Sequence, residues 1–181
     1  VELLSKLGAR VKAFIPSRQD DGYGLNLKMI NTINDQQIKL IITVDNGINA
    51  EEAIKFKEMG WTAHKIHPHG DPAYDIKISQ AVREAVGDDM KLMLDSMWAY
   101  QYEDAMRVGR AIEELDFYWY EDPLVEEDIY NYVKLHDKLD IPIMSTEYAP
   151  GRYYGMTQWI TQYATDILRG DVAVTGGITP M

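Results

Sequence analysis

The sequence predicts an α/β fold of parallel βα repeats, built as an incomplete or seven-stranded TIM-barrel-like sheet. The alternative is an open doubly wound sheet. Three observations predict it. Apolar, β-rich runs alternate with helix-like stretches. The runs are apolar nearly throughout, the pattern of parallel strands covered on both faces. Ionisable residues recur at strand ends at the spacing of one βα unit. A complete TIM barrel has eight βα units and usually ~250 residues; this chain has 181 residues and seven such runs.

The expected strands are, in order, VKAFIP, KLIITVD, TAHKIH, KLMLDS, FYWYED, IPIMSTE and DVAVTGG. Between them, NAEEAIKFKEMG opens with an Asn cap and early glutamates and stops at Gly60. AYDIKISQAVREAVG places Ile76, Ile78, Ala81, Val82 and Val86 roughly on one face, and Gly87 stops it. YEDAMRVGRAIEEL and EEDIYNYVKLHDKL have the same helical pattern. In FYWYEDPL, both-face burial accounts for the four aromatics, and Pro123 ends the strand.

The marked strand-end residues are Asp45, His67, Asp95, Glu121, Glu147 and Asp171, spaced by 22, 28, 26, 26 and 24. In parallel α/β folds the C-terminal ends of the strands share one face, and sites are built there. Ionisable residues recurring at those ends therefore converge.

Composition narrows the function classes. The chain is 46% hydrophobic and 26% charged, as globular proteins are. It has no apolar run of the ~18 residues a membrane helix needs, and its first residues lack a signal-peptide pattern. No cysteine is present, which excludes disulfides, Cys–zinc sites and a Cys nucleophile and suits the reducing cytoplasm. The net charge of −11 argues against a nucleic-acid partner. That charge is uneven: residues 1–60 carry 8 basic and 8 acidic side chains, and residues 61–181 carry 10 and 21. Eleven of the twelve tyrosines and all four tryptophans lie in the second part.

Asp95, Glu121 and Glu147 end three successive strands. Three clustered carboxylates repel and cannot all stay ionised without a cation. Oxygen donors without cysteine favour a hard ion such as Mg²⁺.

Residues from about 63 to 181 resemble the barrel domain of the enolase superfamily, in its mandelate racemase-like branch. The matching motifs are KIH at Lys65–His67, LMLDSMWAY with Asp95, WYEDPL with Glu121, IMSTE with Glu147, and Asp171 followed by GGITP. The resemblance implies that Asp95, Glu121 and Glu147 bind Mg²⁺, which holds a small carboxylate substrate while a base removes the adjacent proton. The products would be racemised acids, dehydrated acid sugars or cycloisomers. It also implies candidate acid–base roles for Lys65, His67 and Asp171. The family's second-strand motif is often Lys-x-Lys, whereas Lys65-Ile66-His67 stands here. A histidine at that strand end can act as a base or as a hydrogen-bonded rim residue. Asp171 matches the aspartate of a His–Asp dyad whose histidine is expected beyond Met181.

Residues 1–60 carry IPSR, DGYGLN and IITVDNGI, and resemble a segment of RecJ-type DHH phosphoesterases. That resemblance implies a metal-ligand origin for Asp45, but a single acid cannot assemble a two-metal site. The two resemblances divide the chain into segments 1–62 and 63–181, packed as one continuous α/β unit. They predict a recombined or engineered fusion that retains the Mg²⁺-binding carboxylates with little or no turnover. The alternative is a working Mg²⁺-dependent racemase or dehydratase; phosphodiester hydrolysis is a remote third reading. An incomplete barrel would expose sheet edges, which predicts homo-oligomers.

Overall fold

A computed structural model describes Lys6 and residues 50–179. The expected strands VKAFIP and KLIITVD, the Asn cap before residue 50, and Asp45 lie outside the described residues. Residues 50–179 fall within one compact unit, Ile48–Met181.

The elements alternate as the sequence predicts. Helix α1 (Ala50–Glu58) leads to strand β1 (Ala63–Ile66), α2 (Pro72–Val86), β2 (Lys91–Asp95), α3 (Tyr102–Glu114) and β3 (Trp119–Glu121). The chain continues through α4 (Ile129–His136), β4 (Ile143–Ser145), α5 (Arg152–Thr161), β5 (Ile167–Leu168) and α6 (Val172–Thr175). The five described strands form one sheet in the order β1-β2-β3-β4-β5, every neighbour pair parallel. This sequential order is that of a barrel wall. A doubly wound sheet reverses its order at a switch point, and the described strands contain no such reversal.

The expected strand DVAVTGG is not a strand. Asp171 accepts hydrogen bonds from Ala173 N and Val174 N, and a short helix follows, ended by Gly176 at φ +98°. The capping carboxylate turns a β-branched run into a helical turn. The strand of this repeat lies just before it, at Ile167–Leu168, in a run too short to show a period.

The core lies where the helices cover the sheet. Ile66, Leu92, Leu94, Tyr120 and Ile143 from the strands are fully buried, with Val82, Val86, Val108, Ile112 and Leu135 from the helices. The buried face of α2 agrees with the predicted one at Val82 and Val86 but is completed by Asp75, Ser79 and Arg83, and Ala81 is exposed. Two charged groups occupy that face because each has dedicated partners. Asp75 accepts from His69 N at 2.8 Å, Gly70 N at 2.9 Å and Tyr100 Oη at 2.7 Å. Arg83 donates to the carbonyls of Leu115, Gly87, Met90 and Asp116. Buried charges are tolerated only when satisfied in this way.

Candidate metal centre

In a parallel pair, residues in register point to the same face of the sheet, and the face alternates along each strand. Lys65 is in register with Met93, Asp95 with Glu121, and Glu121 with Met144. Lys65, Asp95 and Glu121 therefore share one face, with Lys65 one pleat below Asp95. The long lysine side chain spans that step. Its Nζ lies 2.7 Å from Asp95 Oδ2 and 3.0 Å from Glu121 Oε1.

The structure brings Asp95 and Glu121 together as the sequence predicts, and adds Asp122. Carboxylate oxygens of Asp95, Glu121 and Asp122, all buried, lie within 4.8 Å of one another. Asp122 adjoins Glu121 in YEDP; a positive φ of 43° turns its side chain toward the cluster. Glu147 is linked to this group through Arg169, whose Nη2 lies 2.6 Å from Glu147 Oε1. The same guanidinium's Nη1 donates to Glu121 Oε1 and, at 3.0 Å, to Asp122 Oδ2, and lies 3.8 Å from Asp95 Oδ2. Arg169 directly follows β5, so the ionisable residue that this strand end contributes is a cation. Its nearest sequence signal is its place two residues before Asp171 in LRGD.

Backbone bonds fix these positions. Ser96 N donates to Glu121 O, Trp98 N to Asp122 O, and Asp122 N to Met144 O. Met97, Trp98, Asp122 and Thr146 all take positive φ values, clustered in the loops after β2, β3 and β4. Non-glycine residues there cost of order 1–3 kcal/mol each and persist where the surroundings over-determine them. Trp119 Nε1 donates to Glu121 Oε2 at 2.9 Å. Glu126 accepts Tyr148 N and so holds the residue after Glu147.

The electrostatics follow from this crowding. Burial opposes charge on Lys65, but the hydrogen bond to Asp95 and the charge of Glu121 outweigh it, and its pKa is raised. Burial pushes the Asp95 carboxyl up, yet the Lys65 ammonium holds it below its ordinary value. Asp122 is pushed up to about 8, first by burial and then by Glu126, with Arg169 opposing. Glu147 is also raised, mainly by burial, against the pull of Arg169. The cation that clustered carboxylates require is thus supplied here by two side chains, Lys65 and Arg169.

The other predicted site residues fall around this group. His67 Nε2 is 3.8 Å from Asp95 Oδ2, at the C-terminal end of β1. Asp171 caps α6, and its backbone N–H donates to Glu147 O at 3.2 Å.

An oxygen-only set of buried carboxylates at adjacent strand ends suits a hard divalent ion, which prefers such donors. Its place at the C-terminal ends of parallel strands is where sites are built on βα scaffolds. Residues 49–181 match the family described as enolase C-terminal domain-like, and the chain belongs to that family. It is 34% identical over 131 residues to a D-galactarolactone cycloisomerase of Agrobacterium fabrum, covering 72% of this chain and 34% of that protein. It is 34% identical over 161 residues to the L-talarate/galactarate dehydratase of Salmonella typhimurium, covering 87% of this chain and 37% of that one. Among solved structures, a D-glucarate dehydratase from Agrobacterium tumefaciens, complexed with magnesium, superposes with a TM-score of 0.68 at 39% identity. That superposition covers 72% of this chain and 36% of the other. The chain thus spans about a third of the length of these relatives. These matches support the resemblance read for residues 63–181; the phosphoesterase resemblance of residues 1–60, and the fusion it implied, draw no support from them. No helix among the described residues is long and apolar enough to cross a membrane.

Proposed function

We propose that this chain contributes the metal-binding strand ends of an acid-sugar dehydratase, cycloisomerase or racemase site, and that its substrate carries a carboxylate. The observation that carries this reading is the convergence of Asp95, Glu121 and Asp122 at the ends of β2 and β3, with Lys65 reaching them from β1. Its relatives are named for galactarolactone, talarate, galactarate and glucarate.

Asp95 and Glu121 would hold Mg²⁺, with Glu147 joining them from the end of β4. When bound, the ion supplies charge stabilisation for a substrate carboxylate and for the enolate formed beside it. The ammonium of Lys65 points at the same place and offers a hydrogen-bond donor to an incoming carboxylate oxygen. A lysine held protonated by Asp95 and Glu121 is poorly suited to accept a proton. His67, at the same strand end and 3.8 Å from Asp95, is therefore the preferred base. Asp171, committed to two helix N–H groups, serves as a cap in this arrangement.

Solvent deuterium incorporation tests the reading. The full chain, incubated with Mg²⁺ and a panel of aldarates and aldonates in D₂O, should exchange the proton on the α-carbon of at least one, and His67→Asn should abolish that exchange. Absence of exchange from every acid would overturn the proposed chemistry.

A further inference from the structure

Arg169 lies where a metal ion would have to compete. Its Nη1 engages one oxygen each of Glu121 and Asp122 and approaches Asp95 Oδ2; these three residues form the tight carboxylate group. Its Nη2 draws Glu147 the other way. The backbone of this residue is anchored. Arg169 N donates to Ser145 O at 2.9 Å and to Thr146 Oγ1 at 3.1 Å, and Thr146 Oγ1 donates to Arg169 O at 2.5 Å. Thr146 itself is fully buried with a φ of +86°, a conformation a β-branched residue adopts only under constraint. The guanidinium is therefore aimed by a fixed main chain, and only its side-chain torsions are free to change.

We propose that Arg169 is an internal cation latch: its guanidinium and a divalent ion occupy the carboxylate cluster in mutually exclusive states. The proposal rests on the reading above that this cluster binds a divalent ion. Mg²⁺ needs oxygens at ~2.0–2.1 Å in octahedral array, and like charges packed into one buried site repel. Binding the ion then requires the arginine to leave Glu121 and Asp122. Its departure also releases Glu147, whose carboxylate becomes available as a third ligand. The latch thus explains why Asp95, Glu121 and Asp122 cluster here while Glu147 stands apart. It keeps the acids neutralised and the strand ends packed in the absence of metal. The cost is affinity: a binding-competent state populated at fraction f weakens apparent binding by 1/f, about tenfold for a latch open 10% of the time.

The test is Mg²⁺ titration calorimetry on the full chain, wild type against Arg169→Met, with thermal unfolding in chelator and in saturating Mg²⁺. Arg169→Met is expected to bind Mg²⁺ about tenfold tighter or more. It should melt below wild type in chelator, with the gap narrowing once Mg²⁺ is bound. Binding by the variant but none by wild type would support the latch in its strongest form. Equal or weaker binding by Arg169→Met, with wild type still binding, overturns the latch and leaves the metal site standing; the arginine would then be orienting a ligand. Absence of binding in both overturns the metal site and the latch together. Should Arg169→Met fail to fold, Arg169→Lys keeps one positive charge but loses the two-armed bridge. It should also bind Mg²⁺ more tightly than wild type, and binding no tighter would overturn the proposal.

Discussion

Lys65 Nζ lies 2.7 Å from Asp95 Oδ2 and 3.0 Å from Glu121 Oε1, so one side chain of β1 neutralises the strand ends of both β2 and β3. Removing one partner of a buried ion pair leaves an uncompensated charge and typically costs ~3–5 kcal/mol; the partly exposed lysine reduces this to about 1–3 kcal/mol. Lys65→Met should lower the thermal midpoint accordingly in chelator, and saturating Mg²⁺ should restore part of the loss. An unchanged midpoint would show that the pair contributes nothing to the fold.

The same pair has a pH signature. The Asp95 pKa is depressed, so its contribution is present above the ordinary value of 3.8 and is lost as pH falls through the lower folded value. The Lys65 pKa is raised, so its contribution is complete below 10.5 and is lost as pH rises above it. Stability attributable to the pair, measured by a double-mutant cycle of Lys65→Met and Asp95→Asn, should be flat between these limits and fall outside them.

His64 gives the opposite case. Its ring is buried beside Phe56, and burial depresses its pKa to about 4 from 6.5. The folded state binds this proton less readily than the unfolded state. Stability is therefore lost as pH falls from 6.5 toward 4, by about 3 kcal/mol in all. Chemical denaturation across that range should show a shallower decline in His64→Phe than in wild type.

Asp171 separates a capping role from a catalytic one. Removing a helix N-cap costs ~1 kcal/mol, and asparagine caps nearly as well as aspartate. Asp171→Ala should therefore lose about this much in denaturant unfolding and Asp171→Asn much less. Equal losses in both would indicate that the charge, and not the cap, is what the fold uses.

The repeating βα order, four of the five described strands and the acids Asp95 and Glu121 were legible because mostly apolar runs alternate with helix-like stretches, and β2 and β3 each end on an acid. Residues whose role depends on a distant partner were not. The burial of Asp75 and Arg83 on α2 requires Tyr100 and the carbonyls of Leu115 and Asp116, more than twenty residues away. Arg169 was hidden because its strand is two residues long and its charge is opposite to that expected of a strand end at this site. The helix at Val172–Thr175 has a strand-like composition, because its β-branched residues mask a cap that only the backbone conformation reveals.

The most direct test of the central claim is a crystal structure of the full chain soaked in Mg²⁺. The expected result is one ion bound by Asp95 and Glu121, with Glu147 drawn in and Arg169 turned away from Glu121. A cluster without an ion, in which Lys65 and Arg169 still bridge the same carboxylates at saturating Mg²⁺, would contradict it.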